Sequence, residues 1–223
     1  MTDANERMAL YDRMARELYV AVVSDVLDGL GLRNQVMHAG VKPIDPASRQ
    51  IVVGRAATVL FAPIYHVPPE PYTVAISAID ELTPGDIAVL ATGGIESTYW
   101  GELFSNAALG RGARGVVMDG YHRDTRKILD LGFPVFSTGS RPVDIAGRAQ
   151  AIAYNVPVNC GGVQIEPGDV VFAEIDGIAV IPQSVADEAV AKAFAKVAAE
   201  DRAREDLREG AYLADVWKKY RVL

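Results

Sequence analysis

"WGELFSNAALGRGARGVVMDGYHRDTRKILDLGFPVF", residues 100–136, alternates helix and strand. Trp100 to Arg111 reads as a helix, with Leu103, Ala107 and Ala108 on one stripe. "GVVM" is a buried strand, "TRKILDLG" a short helix ending at Gly132, and "PVFST" another strand. Such alternation is the pattern of an α/β layer. Between strand and helix stands "DGYHRD", Asp119 to Asp124. Asp119-Gly120 supplies a turn, but a turn has no need of Arg123 and Asp124 side by side. The pair is either solvated punctuation, with Asp124 as a helix N-cap, or a site.

Outward from this stretch the pattern holds, then changes. Tyr11 to Leu30 reads as one helix, with Leu18, Val22, Val26, Leu27 and Leu30 apolar and Gly31 as its stop. "AATVLF" (56–61) and "IAVLA" (87–91) read as strands, and "YTVAISAIDEL" (72–82) as a helix between them. From Arg141 to Pro182 the chain turns β-rich, with short runs split by Gly, Pro and Asp. One long helix then spans 184–209, opened by Ser184 and Asp187 in the manner of a capping box and closed by Gly210. "TPGDIAVLA" and "EPGDVVFAE" echo one another, which Pro-Gly-Asp turns before strands explain without a duplication. No linker divides the chain, so residues 1–223 read as one α/β domain with an interwoven β core and helices outside.

Composition narrows the functional classes. A net charge of −7 argues against a nucleic-acid binder, which needs a basic face. The small basic cluster "KKYR" (218–221) reads as a solvated helix end. Cys160 is the sole cysteine, so there is neither an intrachain disulfide nor a thiolate cage. The N-terminus is polar and mixed in charge, unlike a targeting peptide. No apolar run approaches membrane-spanning length. The expectation is a cytoplasmic protein with no membrane partner.

Several motifs fall away. "GRGARG" (110–115) matches GxGxxG, but it follows a helix and opens a strand, the reverse of a dinucleotide fingerprint. His38, His66 and His122 are too dispersed for a zinc motif. No phosphate loop and no nucleophile elbow occurs. Two strand-to-helix turns remain. In "GGIESTYWGELF" (93–104) the amides around Gly101 to Phe104 begin a helix and lack intrahelical acceptors. They suit an anion, and Gly101 permits close approach; the plain alternative is a loop capped by Ser97 or Thr98. One unit later, Arg123 suits a bidentate carboxylate clamp, and Asp124 is a hard oxygen ligand suited to Mg²⁺ or Mn²⁺ rather than zinc. If the strands are parallel neighbours, both turns share one sheet edge, the usual place for a ligand in an α/β sheet. Tyr99 and Trp100 read as core, "YHVPPEPYT" (65–73) as a stiff connection that would cover the site or merely link elements, Asp176-Gly177 as a hairpin turn, and Glu96 as near the site without a spacing argument.

"WGEL" followed at this distance by "RGxxGVVxDGxxRD" resembles the 4-hydroxy-4-methyl-2-oxoglutarate aldolases, a family that also contains the regulator of ribonuclease E activity A. The resemblance covers most of the chain and is densest over Gly93 to Thr138. It implies a layered α/β/β/α domain like the swivelling phosphohistidine domain, assembled as homotrimers or homohexamers with sites between subunits. It implies that Gly101, Glu102, Leu103 and Phe104 bind substrate, that Arg123 binds the 2-oxo acid carboxylate, and that Asp124 holds the divalent cation. Helix 184–209 would contact a neighbouring subunit and bring Glu200 towards the metal's waters, with Glu102 a second such carboxylate. Tyr121 and His122 depart from the smaller or apolar residues expected there, which would narrow or repurpose the pocket. The methyltransferase label sometimes given to this family finds no glycine-rich cofactor loop here.

The implied activity is a metal-dependent aldolase that cleaves a 4-hydroxy-2-oxo acid to pyruvate and a second carbonyl compound, with oxaloacetate decarboxylation as a side activity. Arg123, Asp124 and Glu102 would be its catalytic residues. A Schiff-base aldolase needs a desolvated lysine, and Lys42, Lys127, Lys192, Lys196, Lys218 and Lys219 all lie in polar settings. The alternative from another class is a non-catalytic regulator that binds a ribonuclease; it has no need of an Arg-Asp pair facing an anion-binding turn.

Overall fold

The computed structural model describes residues 4–47 and 49–222. In chain order the first elements are α1 (Ala4–Glu17), α2 (Val20–Gly29), β1 (Lys42–Pro43), β2 (Val52–Pro63), α3 (Thr73–Asp80) and β3 (Asp86–Ala91). The middle comprises β4 (Thr98–Trp100), α4 (Glu102–Gly110), β5 (Gly115–Met118), β6 (Tyr121–His122), α5 (Thr125–Leu131), β7 (Val135–Ser137) and β8 (Gly139–Ser140). There follow β9 (Ala149–Tyr154), β10 (Val158–Cys160), β11 (Val163–Ile165), β12 (Val170–Glu174), β13 (Gly177–Ile181), α6 (Ala186–Arg208) and α7 (Leu213–Tyr220).

The main sheet runs β1-β7-β5-β3-β2-β12-β13, and β9 also pairs with β2. Strands β2, β3, β5 and β7 are mutually parallel. Strand β2 is long enough to serve two partners on one edge: its first half pairs antiparallel with β12 and its second half with β9, and the β9 pairing itself carries an irregularity between Leu60 and Phe61. The change of partner and the bulge together curl the sheet, a bulge adding local bend and twist.

Alternation along the strands then builds three cores. Val59, Phe61, Ala88, Leu90, Val116, Met118 and Val135 face Ala75, Ile79, Ala108 and Ile128 of α3, α4 and α5. The opposite face (Ile87, Val89, Ala91 and Val117) packs on Val171, Ala173, Ile178 and Val180 of β12–β13 and on the β10–β11 hairpin. The outer face of β12–β13 (Phe172, Ala179 and Ile181) packs on α1, α2 and α6. The order is therefore α/β/β/α, as expected, with both β layers drawn from one curled sheet.

The departures from expectation are local. Tyr11 to Leu30 is two helices, because Tyr19 is extended (φ −144°, ψ 158°) and buried Glu174 accepts the Val20 amide at 2.5 Å. The apolar periodicity runs through this break because both helices bury the same face. No capping box opens the last long helix: Ser184 lies in a 3-10 turn (Gln183–Val185), Val185 takes the N-cap, and the Gln183 amide is drawn to Asp169 Oδ1 at 2.9 Å. Beyond Gly210, helix α7 was anticipated only through the reading of "KKYR" as a helix end. Its "KKYR" end is tied back to α6, where Lys219 and Tyr220 both donate to Asp206. The two Pro-Gly-Asp turns do share one geometry: Asp86 accepts the Thr83 amide and Asp169 the Glu166 amide, and both glycines have positive φ. The hairpin expected at Asp176-Gly177 is present but sits one residue earlier: Ile175-Asp176 closes it, and Gly177 pairs with Glu174 as the first residue of β13.

Candidate active site

Strands β3 and β5 are parallel neighbours, so the segments leaving them emerge at one edge of the sheet. There they form a second, small parallel sheet, β4-β6-β8. Thr98 pairs with Tyr121 and Trp100 with His122, and the Arg123 amide donates to the Trp100 carbonyl at 2.9 Å. This pairing brings "WGEL" against "HRD".

The six residues of "DGYHRD" divide their labour. Asp119 is structural: Oδ1 accepts the Thr92 amide at 2.7 Å and its hydroxyl at 2.9 Å, while Oδ2 accepts the Gly161 amide at 3.2 Å. It ties the ends of β3 and β5 to the β10–β11 turn. Gly120 is needed for close packing, since a Cβ there would lie 2.6 Å from Thr92 Cγ2 and 2.8 Å from Tyr99 Cδ2. Tyr121 and His122 do not line the cavity described below. The His122 ring is buried between Ser137 Oγ and Thr125 Oγ1, each 2.8 Å away, and burial lowers its pKa against a partly offsetting contact with Gly139. Tyr121 packs beneath the Arg141 guanidinium. The narrowing expected from these two side chains does not occur, because the strand turns them away from the cavity.

Asp124 occupies the N-cap position of α5, yet its side chain makes no capping bond. Its backbone lies in the left-handed region (φ 60°, ψ 29°), a conformation that costs a non-glycine residue about 1 kcal/mol or more. That conformation sends the carboxylate towards the neighbouring helix, where Oδ2 accepts the Glu102 amide at 3.2 Å. Gly101 makes room, since a Cβ there would stand 2.8 Å from Asp124 Oδ2. The close carboxylate approach expected at Gly101 is thus made by the protein's own Asp124, and one of the α4 anion-binding amides is already engaged. Neither Ser97 nor Thr98 caps α4; their hydroxyls go to the carbonyls of Asp144 and Arg141.

Arg123 lies between two carboxylates. Its Nη1 donates to Asp144 Oδ2 at 2.8 Å, and its Nε stands 3.9 Å from Asp124 Oδ2. The other oxygen of Asp144 accepts the Tyr72 hydroxyl at 2.7 Å and the Ala146 amide at 2.8 Å. Burial pushes the Asp144 carboxyl up, but the Ala146 amide, Tyr72 and Arg123 outweigh it and hold the group below its ordinary value. Hydrogen bonding to Asp144, together with burial, raises the Tyr72 pKa.

These residues surround a cavity of about 240 Å³. Gly101, Leu103, Phe104, Arg123 and Asp124 line it, as do Asp144, Tyr72, Ile76 and Ile145. Tyr99 and Trp100 form its floor from within the core, and Trp100 donates to Ser105 Oγ at 2.8 Å. The structure does not bring in every expected residue. The Glu102 carboxylate bonds Asn106 one turn along α4, and Glu200 lies on α6, in the helical layer across the curled sheet. Glu96 pairs with Arg141. Asp144, Tyr72 and Ile145 were not singled out from the sequence. The available signals were Tyr72 closing the proline-rich connection and Asp144 opening an Asp-Ile-Ala-Gly turn.

A group of three or more metal-binding side chains does not occur among the described residues, so a closed cage is not on offer. Asp124 presents a half-exposed hard oxygen, while both oxygens of Asp144 are engaged by Arg123, Tyr72 and Ala146, and a single carboxylate fits Mg²⁺ or Mn²⁺ retaining most of its waters. A larger polar cavity of about 340 Å³ lies at the opposite end of the strands, beside Arg55, Asp86, Asn155 and Gln183. Of its charges, Arg55 is paired with Asp86 at 2.8 Å and Glu81 accepts the Tyr154 hydroxyl at 2.6 Å, and Arg7 also lines it. No helix among the described residues is long and apolar enough to cross a membrane.

The family model RraA-like (Aldolase/RraA) matches residues 20–180. The chain is 34% identical over 192 residues to a Halalkalibacterium halodurans protein named "Putative 4-hydroxy-4-methyl-2-oxoglutarate aldolase", covering 85% of this chain and 84% of that one. It is 29% identical over 201 residues to Protein DlpA of Legionella pneumophila, covering 90% of this chain but only 32% of that protein's length. Among solved structures, RraAS2 of Streptomyces coelicolor, described as an unusual member of the RNase ES inhibitor RraA protein family, superposes with a TM-score of 0.77 at 31% identity. That match covers 88% of this chain and 96% of the other.

Proposed function

Since the chain belongs to the RraA-like family, we propose that it is a divalent-metal-dependent carbon–carbon lyase acting on 4-hydroxy-2-oxo acids such as 4-hydroxy-4-methyl-2-oxoglutarate. One observation carries this reading. A guanidinium, Arg123, and a hard carboxylate, Asp124, meet at the edge of two parallel strands around a cavity of small-molecule size. The aldolase name of the Halalkalibacterium relative supports it.

The charge balance supports it too. Two carboxylates, Asp124 and Asp144, and one guanidinium, Arg123, line the cavity, which leaves one net negative charge. An oxo-acid anion entering alone would meet repulsion; with a divalent cation on Asp124 the balance becomes one net positive charge, matched to a carboxylate. None of the six lysines lines the cavity, which favours metal-assisted over Schiff-base chemistry.

In the proposed reaction Arg123 binds and orients the substrate carboxylate. The C3–C4 bond breaks, the 4-hydroxyl gives up its proton as it becomes the new carbonyl, and the electron pair is delocalised onto the C2 oxygen. Arg123 adds positive charge where that negative charge develops. When bound at Asp124, the divalent cation supplies Lewis-acid stabilisation of the same charge. Protonation at C3 completes pyruvate. Glu102, in the first turn of α4, is proposed to exchange its bond with Asn106 for the water that carries the proton, and Glu200 of a neighbouring copy is the proposed second carboxylate. Oxaloacetate decarboxylation develops charge at the same oxygen and is the proposed side activity. Leu103 and Ile76, 78% and 48% exposed at the cavity mouth, leave an apolar rim for a neighbouring copy to cover, and a homotrimer or homohexamer with the site between subunits is the proposed assembly.

The test is pyruvate release from 4-hydroxy-4-methyl-2-oxoglutarate and from oxaloacetate, with Mg²⁺ or Mn²⁺, with excess EDTA, and with Asp124→Ala. Turnover should need the cation and vanish in the variant. Full activity in EDTA would refute the metal role. Silence toward both compounds by folded, metal-loaded protein would favour the second reading, a ribonuclease-binding regulator, to which the likeness to RraAS2 points; a ribonuclease pull-down decides that.

A further inference from the structure

We propose that Asp144 and Tyr72 are positioning residues that set the guanidinium of Arg123 for the substrate carboxylate, an inference that rests on the reading of the site given above. Arg123 is a long side chain, 41% exposed, and left alone it would sample many rotamers at the cavity wall. Asp144 removes that freedom by taking one edge of the guanidinium through Nη1 at 2.8 Å. Arginine's planar fork makes this useful, because fixing one nitrogen fixes the direction of the others.

Asp144 is itself held from three sides. Oδ1 accepts Tyr72 and the Ala146 amide, the Asp144 carbonyl accepts Ser97 Oγ at 2.8 Å, and the residue bridges Thr98 of β4. Tyr72 arrives at the end of a connection containing Pro68, Pro69 and Pro71, whose restricted backbone lowers the cost of holding the ring in place. A carboxylate in this cavity repels the very anion the site is read to bind. Its presence at the guanidinium is accounted for by positioning, not by attraction of substrate.

The geometry also separates positioning from mere loop support. In Asp144→Asn the amide oxygen, taking the place of Oδ1, still accepts Tyr72 and the Ala146 amide. The amide nitrogen, taking the place of Oδ2, cannot accept from Arg123. With Mg²⁺ present and pyruvate release as the assay, Asp144→Asn should raise KM tenfold or more, change kcat by only a few fold, and leave the melting temperature near that of the parent. Tyr72→Phe should move KM the same way by less, and adding it to Asp144→Asn should cost little more; this variant also carries the test should Asp144→Asn fail to fold.

Chemical rescue gives a readout that structural support would not move. Exogenous guanidinium should restore turnover to Arg123→Ala, because Asp144 remains to hold it, and should fail in Arg123→Ala combined with Asp144→Asn. An unchanged KM in Asp144→Asn and Tyr72→Phe, or equal rescue in both backgrounds, would overturn the proposal while parental turnover leaves the lyase reading standing. A parent that releases no pyruvate would overturn both.

Discussion

Gly101→Ala isolates the contact on which the candidate site depends. Gly101 is extended (φ −149°, ψ −173°), so alanine meets no backbone strain there and the effect is one of space. Ordinary contact begins at 3.4 Å, and the new Cβ would stand 2.8 Å from Asp124 Oδ2, so 0.6 Å must be recovered. The backbone of β4 is buried and paired, so the half-exposed Asp124 carboxylate is the part that yields. Its bond from the Glu102 amide is then lost, worth about 1 kcal/mol, and alanine is a poorer N-cap than glycine by a similar amount. The fold should survive with a loss of about 2 kcal/mol. Activity should suffer more, because displacing a reacting group by something near an ångström costs on the order of 100-fold. The assays are thermal melting, Mn²⁺ binding followed by electron paramagnetic resonance, and pyruvate release. A folded variant with parental Mn²⁺ affinity and turnover would refute the assignment of Asp124, in this position, as the metal ligand.

Gly120→Ala should act on the fold instead, because its new Cβ would meet Thr92 and Tyr99 side chains that are themselves buried. An overpacking cost of about 2 kcal/mol corresponds to a fall of roughly 5 °C in a melting experiment, and a melting temperature equal to the parent's would show that the β3–β5 edge is looser than it looks. Glu174→Gln tests linkage. Burial raises the Glu174 pKa, with the Val20 amide partly offsetting it and Asp176 adding to it, so its stabilising contribution is full below the ordinary value of 4.5 and is lost as pH rises through the folded value. The variant, which keeps an oxygen for the Val20 amide, should therefore gain stability relative to the parent as melting is repeated from pH 4 to pH 7; a constant difference across that range would refute the linkage.

The alternation of helix and strand over residues 100–136 was enough to read the α/β layer, because β5 and β7 are buried on both faces and the helices carry a single apolar stripe. What the sequence did not display were the features set by contacts across long separations. The break at Tyr19 depends on Glu174, 154 positions away from the amide it caps. The curl of the sheet depends on β2 changing partners midway, which a uniform apolar run does not announce. Helix α7 is only eight residues long and mixed in charge; it buries Val216 and is tied by its far end to Asp206 of α6.

The candidate site was legible in part for the same reason. Arg123 and Asp124 are adjacent, and parallel strands bring Gly101 to them without any long-range knowledge. Sequence alone could not decide whether Asp124 caps its own helix or serves another. That turns on a positive φ and on the missing side chain at Gly101, two features whose meaning appears only when α4 and α5 lie side by side. Asp144 was invisible because its one local contact, from the Ala146 amide, is that of an ordinary turn aspartate. Its partners are Arg123, 21 residues before it, and Tyr72, 72 residues before it. A carboxylate that loses hydration at a cavity wall must be compensated there, and here the compensation comes from the Ala146 amide, from the Tyr72 hydroxyl at the end of a proline-rich connection and from the Arg123 guanidinium. The arrangement joins three separate stretches of chain in one charge network, so disturbing the 65–72 connection should be felt at Arg123 before it is felt in the core.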